Sequence, residues 1–364
     1  MRRSLPIALL TGAAICCVLA LTHRAAPALS AAGTPPPAPL TPVLSARRVP
    51  GPVAGLVADQ KLATQLDAIV GEAGGPGSES CLQVQVGATP VYARTPTRLL
   101  LPASNVKLLT AWAAITRLGA DHVFTTKVMA ARPPTNGIVD GPLIVVGGAD
   151  PMLATADYRP TQTEWTLASE PVTKLEALAD RVKAAGVTRV NGGVLGDDSR
   201  FDAQRTVPTW KALYLTDGEI GPVGALEVNG GFTVSGRRKA PDANPAAASA
   251  AIFASLLQAR GVAVQGPTGA GTASGATPVA SIDSMPLRDV VGVMLRESDN
   301  LAAEMLVKEL GRQFGGSGTW PAGLTVIRDT LAAAKLPTDG LALVDGSFAA
   351  VSYTHLRAHE TGRN

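Results

Sequence analysis

Along this chain the apolar positions change their period several times, and each change marks an element. Leu62, Leu66 and Ile69 recur at helical spacing and predict a first helix. Leu82, Val84 and Val86 then alternate as a strand, with Val91 to Arg94 as its partner after the turn Gly87-Ala88-Thr89-Pro90. These two strands are expected to begin an antiparallel sheet behind the next helix. That helix carries Lys107, Leu108, Leu109, Trp112, Ile115 and Leu118 on a helical period and stops at Gly119.

From about Lys127 to Ala280 the pattern shifts to short strands and intervening helices. Strands are expected at Leu143 to Val146, Val190 to Leu195, Leu226 to Val228 and Phe232 to Val234, and helices at Leu175 to Ala185 and Ala246 to Arg260. Asn229-Gly230-Gly231 has the composition of a hairpin turn. No fixed-period repeat is visible. Leu287 to Leu295 reads as another apolar helix, Glu297 to Asn300 as a tight connection, and Leu301 to Phe314 as a helix bearing Leu301, Met305, Leu306 and Leu310.

The front of the chain has a different character. Arg2 and Arg3 precede an apolar run from Leu5 to Leu21, and small residues around Ala28-Leu29-Ser30-Ala31-Ala32 offer a signal-peptidase site. An uncleaved membrane anchor is the rival, disfavoured because Pro6 and Gly12 interrupt a run shorter than a full span. Cys16 and Cys17 lie inside this run and are expected to be apolar filler. Pro35-Pro36-Pro37, Pro39, Pro42, Pro50 and Pro52 then predict a stiff spacer. Once the leader is removed Cys81 is the sole cysteine, so the body must be held by its core.

Charge and histidine usage narrow the chemistry. The net charge of +3 is concentrated at the ends, since Arg2, Arg3, Arg24, Arg47, Arg48, Arg357 and Arg363 lie outside residues 55–350. The body is slightly acidic, which gives no support to a nucleic-acid footprint. Of four histidines only His122 lies in the body, and its position at a helix end favours capping over a Ser-His-Asp triad. His355 and His359 with Glu360 imitate a zinc-binding helix, but no third ligand accompanies them. Asp197 and Asp198 at a strand end are expected to be turn residues rather than a metal pair.

Two short motifs supply chemistry. Ser104-Asn105-Val106-Lys107 places a serine and a lysine one helical turn apart at a helix start, so the amine can accept the hydroxyl proton. The helix N-terminus adds partial positive charge where an acyl oxyanion would form. The competing assignment is an ordinary N-cap at Ser104 and a solvated lysine at Lys107. Ser298-Asp299-Asn300 sits between two helices, where its side chains can point into a cleft or simply cap a helix through Asp299 or Asn300.

Together these motifs make the chain resemble the class C low-molecular-mass penicillin-binding proteins, which are serine D-alanyl-D-alanine carboxypeptidases and endopeptidases; S-x-x-K and S-D-N are among the signatures of penicillin-binding proteins. The resemblance runs from about Leu62 to Ser347. It includes Leu101 to Thr110, Val146-Gly147-Gly148-Ala149-Asp150-Pro151, Gly196-Asp197-Asp198-Ser199-Arg200-Phe201 and Val344-Asp345-Gly346-Ser347. Ser104 to Ser298 is much longer than the same interval in a compact β-lactamase, as the insertions of the resembled family imply. The hydrolytic Glu of class A β-lactamases has no counterpart, because Glu164-Trp165-Thr166-Leu167-Ala168 lacks the Asn and precedes Ser298. Glu164 is expected to be a surface carboxylate.

The resemblance implies an α/β (α+β) fold, a penicillin-recognising serine transpeptidase/β-lactamase-like domain whose antiparallel sheet is flanked by helices and interrupted by inserted α/β domains. The expected division is a signal peptide or anchor (1–32), a Pro-rich linker (33–55), a first catalytic part (56–126), the insertion (127–280), an incomplete second catalytic part (281–350) and a non-native tail (351–364). The family continues past Ser347 with Gly-Leu-Ser and a later Lys-Thr-Gly-type strand, whereas this chain has Phe348-Ala349-Ala350 and only His359-Glu360-Thr361-Gly362 in a superficially similar place. On that expectation part of the sheet and of the oxyanion hole would be missing, leaving activity in doubt.

By the same resemblance, the substrate is the D-alanyl-D-alanine end or the D-amino-acid cross-link of peptidoglycan stem peptides, with β-lactams as covalent inhibitors. No cofactor or metal is implied. Ser104 would attack the scissile carbonyl while Lys107, neutral through burial and neighbouring charge, takes its proton. Ser298 would relay that proton to the departing amine, and Asn300 would hydrogen-bond the substrate backbone or orient Lys107. A secreted or envelope location follows, with membrane attachment possible through the N-terminus. Two other functions stay open: a β-lactamase-like hydrolase, and a non-catalytic peptidoglycan-binding envelope protein.

Overall fold

The computed structural model describes residues 51–71, 81–96, 99–158, 171–235 and 238–347. The leader with Cys16, Cys17 and His23, the stretch around Glu164, and the tail with His355, His359 and Glu360 lie outside the described residues. The chain divides into two compact units at residues 98 and 99. In the first, helix α1 (Gly51–Gly71) precedes strands β1 (Leu82–Val86) and β2 (Thr89–Arg94), which pair antiparallel. The helix begins inside the stretch expected to be linker, because Pro at the first turn of a helix costs no hydrogen bond. Tyr92 Oη donates to Asp67 Oδ1 at 2.6 Å, tying β2 to α1.

The second unit opens with helix α2 (Val106–Leu118) and strand β3 (Thr125–Ala130), followed by β4 (Ile138–Val139), β5 (Leu143–Val146), β6 (Leu153–Ala154) and β7 (Thr173–Lys174). Helix α3 (Leu175–Ala184), strands β8 (Arg189–Val190) and β9 (Val194–Asp197), and the short helix α4 (Ala212–Thr216) come next. Then follow β10 (Phe232–Ser235), β11 (Arg238–Pro241), α5 (Pro245–Ala259), β12 (Ala263–Val264), β13 (Thr268–Ala270) and β14 (Thr277–Asp283). Three helices close it: α6 (Leu287–Glu297), α7 (Asn300–Phe314) and α8 (Trp320–Ala333).

A mixed five-stranded sheet runs in the order β13-β9-β5-β3-β14, with β14 and β5 antiparallel to β3 and β9 and β13 parallel to β5. Val128, Leu143 and Val145 on it, Leu178 and Val182 of α3, and Phe253 and Leu257 of α5 share one core. A smaller parallel sheet, β12-β8-β4, lies beside β9 in sequence because the segment expected as one strand from Val190 to Leu195 is broken by Asn191-Gly192-Gly193. Leu226 to Val228 is buried, Glu227 included, but pairs with no strand among the described residues, so its alternation of apolar and polar positions does not mark a strand. Asn229-Gly230-Gly231 forms a 3₁₀ turn ahead of β10, and the hairpin expected there is made by β10 with β11 instead.

The second core is helical. Leu287, Val290, Val291 and Met294 give α6 one apolar face, and they pack with Leu301, Met305, Leu306 and Leu310 of α7 and Val326, Ile327 and Leu331 of α8. Helix α7 is buried on all sides from Leu301 to Gly311. Close crossing of α8 over it depends on Gly323, where a Cβ would come within 1.9 Å of the Val307 carbonyl oxygen. Burial so complete forces the charged residues of α7 to find partners. Glu309 takes a bidentate pair from Arg200, and Lys308 Nζ donates to Asp202 Oδ1 at 2.6 Å while lying 3.9 Å above the Trp320 ring.

Candidate active site

Ser104 sits on a 3₁₀ turn (Ala103–Asn105) that runs directly into α2. Ala103 before it has a left-handed backbone (φ 47°), and so does Ser298 (φ 54°) where α6 ends. Both positions lack the glycine that such a conformation favours, and local strain of this kind concentrates at functional sites. Ser104 is exposed, yet its hydroxyl is not used as a helix cap. It accepts a hydrogen bond from Lys107 Nζ at 3.2 Å. Lys107 in turn is 1% exposed, so it is not the solvated first-turn lysine that the competing assignment required.

Lys107 Nζ has two further acceptors: Asn300 Oδ1 at 2.6 Å and the Ser347 carbonyl at 2.9 Å. Burial lowers the Lys107 pKa to about 8, while Glu304, Asp299 and Asp345 pull it upward. The expected cause was half right: burial favours the neutral amine, but the neighbouring charge is carboxylate and opposes it. At pH 7 roughly a tenth of such a lysine is neutral. Asn300 is fixed from its other side by donating from Nδ2 to the Glu219 carbonyl at 2.9 Å. That occupies its amide and makes it a holder of Lys107.

The Ser298-Asp299-Asn300 triplet thus divides its tasks. Asp299 caps α7 by accepting from the Ala302 amide at 3.0 Å, as the capping alternative expected. Asn300 reaches Lys107. Ser298 is exposed and its hydroxyl is not hydrogen bonded to Ser104 or Lys107. The structure therefore joins Ser104, Lys107 and Asn300 in one network and leaves Ser298 outside it.

Val344-Asp345-Gly346-Ser347, expected only as a landmark, lies against this network. The Thr110 hydroxyl donates to the Gly346 carbonyl at 2.8 Å, and the Gly346 amide donates to Glu304 Oε1 and Oε2 at 3.0 and 3.1 Å. Trp320 Nε1 donates to Glu304 Oε2 at 2.7 Å, and Trp210 Nε1 to Asp345 Oδ2 at 3.0 Å, the two indoles meeting edge to face. Glu304 was not picked out from the sequence. It lies one turn after Asn300, on the same face of α7, and that spacing is the signal that could have found it.

The alternative chemistries lose their residues. His122 packs edge-on against Phe124, with its pKa lowered mainly by burial. Asp197 accepts from the amides of Ser199 and Ala273 at 2.9 and 2.7 Å, and Asp198 pairs with Arg205 at 2.5 Å, so both serve the turn after β9.

A serine hydroxyl hydrogen bonded to a buried lysine, itself held by an Asn from a second helix, is an arrangement suited to acyl transfer through the serine. Residues 62–244 and 240–349 match the D-Ala-D-Ala carboxypeptidase 3 (S13) family, and the chain belongs to that family. It is 29% identical over 361 residues to a D-alanyl-D-alanine carboxypeptidase of Actinomadura sp. (strain R39), covering 79% of this chain and 64% of that protein. It is 30% identical over 262 residues to carboxypeptidase DacB of Mycolicibacterium smegmatis (strain ATCC 700084 / mc(2)155), covering 70% of this chain and 52% of that one. The chain therefore spans between about half and about two thirds of the length of these relatives. Penicillin binding protein 4 (dacB) from Haemophilus influenzae superposes with a TM-score of 0.56 at 20% identity, over 68% of this chain and 65% of that one. The fold is accordingly the mixed α/β, penicillin-recognising one.

Proposed function

We propose that this chain acts as a serine D-Ala-D-Ala carboxypeptidase or endopeptidase on peptidoglycan stem peptides, and that β-lactams acylate the same serine. The observation that carries this is the 3.2 Å hydrogen bond between Ser104 Oγ and a buried Lys107 whose pKa is lowered to about 8. Support comes also from relatives named D-alanyl-D-alanine carboxypeptidase and carboxypeptidase DacB. A Haemophilus influenzae penicillin binding protein 4 structure is described as complexed with a β-lactam.

In the first step Ser104 Oγ bonds to the scissile carbonyl carbon and its proton passes to neutral Lys107 Nζ. Collapse of the tetrahedral intermediate breaks the bond to the departing D-amino acid nitrogen, which takes up a proton. That proton is the one Lys107 Nζ took from Ser104; the exposed Ser298 hydroxyl, which is not hydrogen bonded to Lys107 in the free chain, is the group we assign to relay it once substrate lies between them. Water then bonds to the acyl carbon while Lys107 Nζ accepts its proton, and the Ser104 Oγ–carbon bond breaks as Lys107 returns that proton to Ser104 Oγ. Asn300 keeps Lys107 aimed at Ser104 throughout. The apolar leader and its Arg2-Arg3 start support export to the cell envelope, where this substrate lies.

The test is release of D-alanine from an N-acylated L-Lys-D-Ala-D-Ala tripeptide, followed with purified full-length chain. Release by the parent and none by a folded Ser104→Ala variant is the expected result. Equal release by both, or none by the parent at high enzyme concentration, would contradict the proposal.

A further inference from the structure

Glu304 is buried in the middle of α7, and its carboxylate is spent on two donors, the Gly346 amide and the Trp320 indole. Neither donor is substrate-facing chemistry. One residue beyond Gly346 lies the Ser347 carbonyl, the third acceptor on Lys107 Nζ. Around the same segment Thr110 donates to the Gly346 carbonyl and Trp210 donates to Asp345, so Glu304 holds it at the one backbone amide between those two anchors. We infer that Glu304 is a positioning residue for Lys107, fixing segment 345–347 so that the Ser347 carbonyl completes the lysine's acceptors, and supplying negative charge that sets how readily the ammonium gives up its proton. This rests on Lys107 being the base that activates Ser104.

The charges around it are few and identifiable. Lys107 faces Glu304 from α2, Asp299 stands at the head of α7, Lys308 lies one turn further along α7, and Asp345 approaches from the segment after α8. Burial and then Asp345 push the Glu304 pKa up to about 7. Where Lys107 titrates, Glu304 is therefore largely ionised, and its field acts on the lysine in that range. Gln removes the charge but keeps only one acceptor oxygen, its NH2 meeting a donor, whereas Asp keeps the charge on a shorter arm, so the two variants together separate charge from positioning.

The experiment measures the rate of acylation by a fluorescent penicillin against pH for the parent, Glu304→Gln, Glu304→Asp and Lys107→Arg, with thermal melting as the fold control. Removing the negative charge should shift the rising limb to lower pH by about one unit, while looser positioning lowers the plateau about tenfold. Glu304→Asp keeps the charge and should leave the limb at the parent's pH with a lowered plateau. A Glu304→Gln limb at the parent's pH, whatever its plateau, would overturn the inference. Near-parental rates in Lys107→Arg would instead overturn the base itself, and this inference with it. Should Glu304→Gln not fold, Asp345→Asn removes the other half of the same buried charge: a limb moved to lower pH supports the inference and an unmoved limb overturns it.

Discussion

Asn300 Oδ1 lies 2.6 Å from Lys107 Nζ, joining the first turn of α7 to the first turn of α2 across 193 residues of sequence. Both side chains project from helix starts, and α7 is buried along most of its length and capped by Asp299. Asn300→Ala should leave Lys107 with one acceptor fewer and a wider range of positions. The expected fall in penicillin acylation is on the order of a hundredfold. Asn300→Asp should additionally move the pH limb upward, because a carboxylate there favours the charged lysine. Rate against pH in both variants checks this, and parental kinetics in Asn300→Ala would remove Asn300 from the site.

The lowered pKa of Lys107 gives a direction to the pH dependence. A base with a pKa of about 8 is mostly protonated at neutral pH, so acylation should climb as pH rises through about 8 and then level off. Lys107→Arg keeps the positive charge but holds its proton, and its rate should fall by about a hundredfold or more and lose that limb. Stopped-flow acylation across the pH range reads both effects.

Gly346 is a packing requirement as well as a link. A Cβ there would sit 2.2 Å from Val307 Cγ2 and 3.2 Å from Thr110 Oγ1. Gly346→Ala should therefore cost about 1–3 kcal/mol and displace the segment that holds Lys107. Trimming the obstacle in Gly346→Ala/Val307→Ala should recover part of the melting temperature relative to the single variant. Melting curves of the three proteins, with acylation rates alongside, provide the check.

Buried Glu227 offers a stability test separate from the chemistry. Burial raises its pKa well above the ordinary 4.5, against the opposing pull of Arg205. A carboxyl raised on folding stabilises fully below its unfolded pKa, and that contribution is lost as pH rises through the folded value. Glu227→Gln does not titrate, so its melting temperature relative to the parent should rise steadily from pH 4 upward, by the equivalent of about 1 kcal/mol or more at neutral pH. A difference independent of pH would contradict the assignment.

Much of this architecture was legible because periodicity and punctuation agree locally. Leu287 to Leu295 and Ala246 to Arg260 are legible as helices from their residues, and the structure has them at Leu287–Glu297 and Pro245–Ala259. Val190 to Leu195 is two strands rather than one, because Asn191-Gly192-Gly193 interrupts the apolar positions and carries the chain from one sheet to the other. Leu226-Glu227-Val228 alternates like a strand, yet it is a buried loop in which Glu227 is enclosed as well. At the site, Ser104, Lys107 and Asn300 are visible through their motifs and Asp345 and Ser347 only as a landmark of the resemblance, whereas Glu304 and Trp320 are not visible at all. Their roles arise from contacts between α7, α8 and the segment beyond, and no local pattern encodes which carbonyl a distant lysine will meet.

The central claim is that Ser104 is the acylated nucleophile. Its most direct measurement is intact-mass and peptide-mapping spectrometry of the full-length chain after incubation with benzylpenicillin. The account predicts one adduct, on the peptide containing Ser104, absent from a folded Ser104→Ala variant. An adduct that persists in Ser104→Ala, or that maps to another residue, would contradict it.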